Sequence, residues 1–257
     1  MIGKLIRLER IMDRNTGKMV IIPMDHGMTL GQIDGLLQMP ETIGAVSEGG
    51  ANAIILHKGL VKTGHRRKGR DIGLIIHLSA GTSMNPDPND KVIICTVEEA
   101  ISLGADAVSI HINLGAAQES RMLESAGQVV RECNRWGIPL LAMVYPRGKG
   151  INPTDPGHVG HAVRVAEELG ADLVKTNYTG DPVSFRKIVE ASSIPVLIAG
   201  GEKGEDNDSY RSIYDAVHVA GCSGVCMGRN SFQRDDVARF VSNISKVVHE
   251  GVNPAGV

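Results

Sequence analysis

The chain is short of the residues that announce a specialised architecture. Its four cysteines, Cys95, Cys133, Cys222 and Cys226, are scattered without a paired CxxC motif, which excludes a disulfide framework and a thiolate zinc site. Cys222 and Cys226 fall in one predicted strand, about 13 Å apart at roughly 3.3 Å per residue, too far to bridge or to share a metal. All four therefore read as core residues of a protein in a reducing compartment. Aromatic residues make up 3% of the chain, too few to interleave with basic residues as a stacking platform for nucleic acid. Charge nearly cancels, with 27 Lys and Arg against 29 Asp and Glu, so the net −2 offers no basic face to nucleic acid or an anionic membrane. No apolar run approaches the ~20 residues of a membrane span, and the first residues lack a signal peptide's uninterrupted apolar region. A cytoplasmic protein with small-molecule partners is expected.

What is plentiful is aliphatic residues. A hydrophobic content of 42% over 257 residues supplies one large core and is marginal for two, so 1–257 is expected to be a single domain. Residues 1–15 form an N-terminal capping segment in which Ile2, Leu5, Ile6, Leu8 and Ile11 can plug one end of the fold. Residues 251–257 read as a disordered tail. The stretch Lys62 to Arg70 places five Lys and Arg in nine residues and reads as a solvated loop that could attract anionic substrates or contact another subunit.

One motif recurs: an acidic, helix-like stretch ends at glycine and runs directly into an apolar strand. Its copies are Gly50-Ala51-Asn52-Ala53, Gly104-Ala105-Asp106-Ala107 and Gly170-Ala171-Asp172-Leu173, with a weaker one from Gly221. Glycine relieves the left-handed conformation at a helix C-terminus, and the aliphatic residues after it suit a strand buried on both faces. Short apolar runs near 19–25, 52–57, 73–78, 106–112, 138–145, 172–177, 194–199 and 222–227 give eight candidate strands. Strands alternating with helices imply a parallel sheet, and eight units in this length fit a closed TIM (β/α)8 barrel better than an open doubly wound sheet.

Barrels of this class carry their chemistry at the C-terminal ends of the strands. Asp25 and His26, His57, His77, His111, Tyr145, Lys175, Gly200 and Gly228 close the eight runs in turn. Lys175 is the most telling, because a strand lysine is expensive to bury and a neutral amine attacks carbonyls. An ordinary lysine is neutral in only about one molecule in 2500 at pH 7, so burial and a neighbouring cation are expected to lower its pKa to about 7.5. Pairing with a strand carboxylate is the structural alternative. Tyr145 can pass a proton beside a cationic amine, or simply keep its hydroxyl in water. Asp25 can balance the amine or take a hydroxyl proton, or cap a turn.

Gly200-Gly201 and Gly228-Arg229 follow the seventh and eighth runs, where such barrels bind phosphate with backbone amides, a helix N-terminus and sometimes an arginine. Ordinary turn glycines are the alternative. His26, His57, His77 and His111 could gather around zinc, although hydrogen-bonding or substrate-positioning roles suit strand-end histidines better. A non-catalytic phosphate-binding barrel is the further alternative.

In order, Pro23-Met24-Asp25-His26-Gly27, Tyr145-Pro146-Arg147-Gly148, Val174-Lys175-Thr176-Asn177-Tyr178-Thr179-Gly180, Ala199-Gly200-Gly201 and Met227-Gly228-Arg229-Asn230 resemble the archaeal-type class I aldolases through nearly the whole chain. The resemblance implies that Lys175 forms the Schiff base, Tyr145 donates a proton and Asp25 accepts one. Substrate contacts fall on Asp25, His26, Gly27, Met28 and Thr29, on Tyr145, Pro146 and Arg147, on Gly200 and Gly201, and on Gly228 and Arg229. No metal or organic cofactor is implied. The implied activity is transaldolase-type: 6-deoxy-5-ketofructose 1-phosphate is cleaved on the lysine and its three-carbon fragment passes to L-aspartate 4-semialdehyde, in aromatic amino acid biosynthesis. Fructose-bisphosphate aldolase is the alternative within the family. A homo-oligomeric ring, a decamer, is implied as well. Arg147, with its planar fork, is the residue expected to take the acceptor's carboxylate.

Overall fold

A strand covered on both faces needs no polar side, and the eight aliphatic runs pair in parallel into one closed barrel. The computed structural model describes residues 1–62 and 70–256, so most of the basic stretch, 63–69, lies outside the described residues. The barrel strands are β1 (Met19–Pro23), β2 (Ala53–Leu56), β3 (Gly73–His77), β4 (Ala107–Leu114), β5 (Leu140–Pro146), β6 (Leu173–Thr176), β7 (Val196–Ala199) and β8 (Gly224–Cys226). They lie in sequence order around the barrel, and β8 closes on β1 with Met19 beside Gly224. The open-sheet alternative is thereby excluded.

Helices cover the outside, among them Met39–Glu48, Glu119–Trp136, Pro156–Leu169, Pro182–Glu190 and Val237–Ser245. Several start on a residue that supplies the first turn's missing acceptor: Thr96, Asp155, Asp181 and Asp236 each accept from a backbone N–H two or three residues on. Each such cap contributes about 1 kcal/mol. Between β3 and β4 the chain adds a two-stranded antiparallel ribbon, Ser79–Ala80 with Val92–Ile93, which the aliphatic pattern does not reveal.

Alternation along each strand separates two cores. Outward residues such as Val20, Ile22, Ile54, Val108 and Val174 pack under the helices. Inward residues such as Met19, Ile21, Ile55, Ile75, Leu141, Met143, Leu173 and Leu197 fill the barrel. Continued toward the C-terminal ends, the same inward stripes become polar: Asp25 beyond β1, His57 beyond β2, His77 in β3, Ser109, His111 and Asn113 in β4, Tyr145 in β5 and Lys175 in β6. The barrel interior is thus apolar at its base and reactive at its mouth.

The repeated glycine motif builds the base. Gly50, Gly104, Gly170 and Gly221 adopt φ between 84° and 90°, the left-handed turn that ends the preceding helix. The Asx residue two positions later accepts from a backbone N–H at the start of the preceding strand: Asn52 from Val20 (2.6 Å), Asp106 from Leu74 (2.9 Å) and Asp172 from Leu140 (2.9 Å). These carboxylates also anchor the N-terminal segment, through Lys4 to Asp172 at 2.8 Å and Arg10 to Asp106 at 3.3 Å. Ile11 is fully buried in the inner core, but Ile2, Leu5 and Ile6 of the helix Ile2–Leu8 face outward. Polar anchors and Ile11, rather than the whole apolar face, therefore seat the segment. At the other end, Pro254–Gly256 forms a 3-10 turn beside the helix Asp206–Tyr214, where the sequence suggested disorder.

Candidate active site

Strand register decides which polar residues meet. Lys175 pairs in register with Met143 on β5 and Leu197 on β7, so Tyr145, two residues beyond Met143, points inward on the same side as the lysine. Lys175 is 7% exposed and Tyr145 5%. Asp25, His26, Thr29, Tyr145, Arg147, Lys175 and Arg229 line one cavity of about 400 Å³ with His57, His77 and His111. Gly200 and Gly201 line an adjoining cleft of about 760 Å³ with Pro146, Asn177 and Asn230, and Arg147 stands on the wall between the two.

The remaining residues named from sequence sit in the supporting turns. Gly27, Met28 and Thr29 form the short helix Gly27–Leu30 after β1; Met28 is exposed, and Thr29 donates to the Gly81 carbonyl at 3.0 Å. Gly228 opens the turn Arg229–Phe232, where a Cβ would lie 2.7 Å from the Pro23 carbonyl oxygen and collide with the His26 ring. Only glycine lets β1 and β8 approach this closely. Arg229 pairs with the exposed Glu202 at 3.1 Å.

The electrostatics invert one sequence expectation. Burial pulls the Lys175 ammonium down, but Cys226, Tyr145 and Asp25 outweigh it and hold its pKa above the ordinary lysine value. The resting amine is therefore protonated, not poised near 7.5. Among the described residues no strand carboxylate pairs with it; its near neighbours are the Tyr145 hydroxyl and the Cys226 thiol. Burial lifts Tyr145 above its usual value despite Lys175, so the phenol keeps its proton at neutral pH. Burial would also lift Asp25, yet His77, His26 and Lys175 hold it well below the usual carboxylate range. His77 is itself pushed down to about 4 by burial, and burial lowers His26 as well, so at neutral pH the cation facing Asp25 is Lys175.

The histidines do gather, but side by side. His57 and His77 rings lie 5.3 Å apart, His77 and His111 6.5 Å, and His111 and Tyr145 5.0 Å. His77 Nδ1 shares a 2.8 Å hydrogen bond with Ser109, and His111 Nε2 one of 2.9 Å with Asn113. Among the described residues no group of three or more His, Cys, Asp or Glu side chains is arranged to hold a metal ion. Ser109 and Asn113 escaped the sequence reading although the alternation Ser109-Ile110-His111-Ile112-Asn113 marks one inward face. Cys226, read as core, is core and also a neighbour of the lysine. Lys91, on the ribbon, was missed altogether; it lines the same cavity.

A lysine held among a phenol and a carboxylate at a barrel mouth is the equipment of a class I aldolase, which captures carbonyls as imines. Residues 19–234 match the DeoC/LacD family of aldolases, and the chain belongs to that family. It is 44% identical to a 2-amino-3,7-dideoxy-D-threo-hept-6-ulosonate synthase of Halobacterium salinarum, over 98% of this chain and 94% of that one. It is 39% identical to a 2-amino-4,5-dihydroxy-6-oxo-7-(phosphonooxy)heptanoate synthase of Streptomyces griseus, over 96% and 90%. The crystal structure of an archaeal fructose 1,6-bisphosphate aldolase superposes with a TM-score of 0.85 at 33% identity, covering 95% of this chain and 98% of that one. No helix among the described residues is long and apolar enough to cross a membrane.

Proposed function

We propose that the protein is a transaldolase-type synthase that forms 2-amino-3,7-dideoxy-D-threo-hept-6-ulosonate from 6-deoxy-5-ketofructose 1-phosphate and L-aspartate 4-semialdehyde, for aromatic amino acid biosynthesis. The near full-length likeness to the Halobacterium salinarum synthase carries the choice of substrates. The chemistry rests on the cavity around Lys175.

In this reading Lys175 must first lose a proton, and Asp25 is the anion facing it across the cavity. The neutral amine adds to the ketone and water leaves, giving an iminium. That cation draws electrons from the bond between C3 and C4 while Asp25 takes the C3 hydroxyl proton. Hydroxypyruvaldehyde phosphate departs, and a three-carbon enamine stays on Lys175. The enamine attacks the semialdehyde, Tyr145 protonates the new alkoxide, and hydrolysis frees the amine. His26 Nδ1 lies 3.6 Å and His77 Nε2 3.8 Å from the Asp25 carboxylate, beyond hydrogen-bond distance, and both rings wall it in. Gly200, Gly201, Gly228 and Arg229 take the ketose phosphate, with Glu202 released from the arginine. Thr29 and Pro146 shape the walls, and Gly27 and Met28 build the turn that carries Thr29.

Fructose-bisphosphate aldolase is the second reading, favoured by the TM-score of 0.85 to such an enzyme. Side-by-side turnover separates the two. The synthase reading expects ulosonate from the ketose phosphate and semialdehyde at a kcat/KM well above that for fructose 1,6-bisphosphate cleavage; the reverse order overturns it. The same reading carries a cytoplasmic homo-oligomer. Its four cysteines are free and buried, which fits a reducing compartment.

A further inference from the structure

Lys91 is a lysine with no work in the scheme above, yet it is 7% exposed and lines the cavity of Lys175. Its ammonium carries three donors, and the one bond it makes among the described residues is to the Pro88 carbonyl at 3.0 Å. Among the described residues no carboxylate lies within ion-pair distance of it; Asp90, the adjacent residue, is engaged by Arg121 at 3.0 Å. Arg147, of the same sign, lines the same cavity and acts on it more strongly than the carboxylates of Asp25, Asp90 and Asp87. Burial lowers the Lys91 pKa, and Arg147 lowers it further. Two like charges brought together at a cavity wall raise the energy of the empty site and wait for an anion.

The surroundings hold this pair in place. A Cβ on Gly81 would lie 3.0 Å from Lys91 Nζ and collide with the Asp90 carbonyl, so a glycine is what admits the ammonium. Asn89 ties the ribbon's loop to the barrel: its carbonyl accepts from Asn113 at 2.7 Å, and its side chain donates to the Arg147 carbonyl at 3.4 Å. Arg147 lies over the Tyr145 ring with its guanidinium carbon 4.7 Å from the centroid, and the guanidinium has no ion pair among the described residues. A planar fork stacked on the phenol and a point charge therefore line one cavity.

We infer that Lys91 and Arg147 form the subsite that binds the carboxylate of the incoming aldehyde. The inference rests on the synthase reading and deepens it. The two synthase relatives share, in their products' names, a 2-amino carboxylate end, whereas the other end differs between 7-deoxy and 7-phosphonooxy. An aldehyde that presents its carbonyl to the enamine on Lys175 and a carboxylate to the cavity wall would deliver that common end.

The test compares Lys91→Met and Lys91→Arg with the parent enzyme at saturating ketose phosphate. The acceptors are L-aspartate 4-semialdehyde and neutral butanal. Losing one charge-assisted hydrogen bond is expected to raise KM for the semialdehyde at least tenfold in Lys91→Met. KM for butanal should hold within twofold, and Lys91→Arg should recover most of the loss. Gly81→Ala, which displaces the ammonium without removing it, is expected to share the selective defect. Borohydride trapping with neutral hydroxyacetone reports a folded, competent Lys175 in every variant. Equal KM changes for both acceptors, or none, would overturn the inference. If the parent enzyme uses D-glyceraldehyde 3-phosphate and ignores the semialdehyde, the synthase reading fails. A Lys91→Met defect confined to that phosphorylated aldehyde, absent with glyceraldehyde, would then overturn the carboxylate assignment in favour of phosphate.

Discussion

Changing His77 to glutamine should flatten the acid side of the stability curve. His77 is 3% exposed, donates or accepts at Ser109 and is pushed by burial from 6.5 down to about 4. Between those two values the unfolded chain binds a proton that the folded chain refuses, so stability falls as pH falls through the window. Above 6.5 both states leave the ring neutral, and below about 4 both protonate it, so neither range adds to the loss. The gap is worth about 3 kcal/mol at roughly 1.4 kcal/mol per pH unit. Asp25, whose pKa is lowered in the fold, contributes stability above its ordinary 3.8 and loses it only at lower pH, so the two effects separate. Glutamine can still reach Ser109 but does not titrate. Urea unfolding followed by circular dichroism from pH 7 to 4 should therefore show the variant losing about 3 kcal/mol less than the parent. His26, His57 and His111, also lowered by burial, leave a residual slope. Parallel curves for parent and variant would refute the claim that His77 is buried neutral beside Asp25.

Tyr145→Phe should lower kcat by about 10²- to 10³-fold while borohydride still traps substrate on Lys175, because proton transfer fails and imine formation does not; a full loss of trapping would instead make the phenol part of imine formation. Gly228→Ala, whose new methyl meets Pro23 and His26, is expected to raise KM for the ketose phosphate roughly tenfold, read by initial rates. Asp172→Ala removes the acceptor of the Leu140 N–H and the partner of Lys4 at the barrel's base. It should cost about 2–4 kcal/mol in urea unfolding with kcat per folded site unchanged; an unaltered midpoint would show the repeated motif to be incidental.

The barrel was legible because its strands are covered on both faces: runs such as Val20-Ile21-Ile22 and Leu140-Leu141-Ala142-Met143-Val144 have no use except burial. Residues closing those runs, Asp25, Tyr145 and Lys175, share one cavity because every barrel strand is parallel and ends at the same mouth. The ribbon Ser79–Ala80 with Val92–Ile93 was invisible, since two-residue strands have no period to detect. Lys91 follows Asp87-Pro88-Asn89-Asp90, a context that reads as solvated loop; its burial depends on Gly81, ten residues away. The protonation of Lys175 was misjudged for a similar reason. Its pKa is set by burial against Cys226, Tyr145 and Asp25, residues in or just beyond three other strands, and their sum is a property of the closed barrel.

The central claim is that Lys175 captures the ketose as an imine. Incubating the protein with 6-deoxy-5-ketofructose 1-phosphate, reducing with borohydride and sequencing the modified peptide by mass spectrometry tests it directly. The account requires a stable substrate adduct on Lys175 and none in Lys175→Ala. An active enzyme that leaves Lys175 unmodified, or carries the adduct on Lys91 or another lysine, would contradict it.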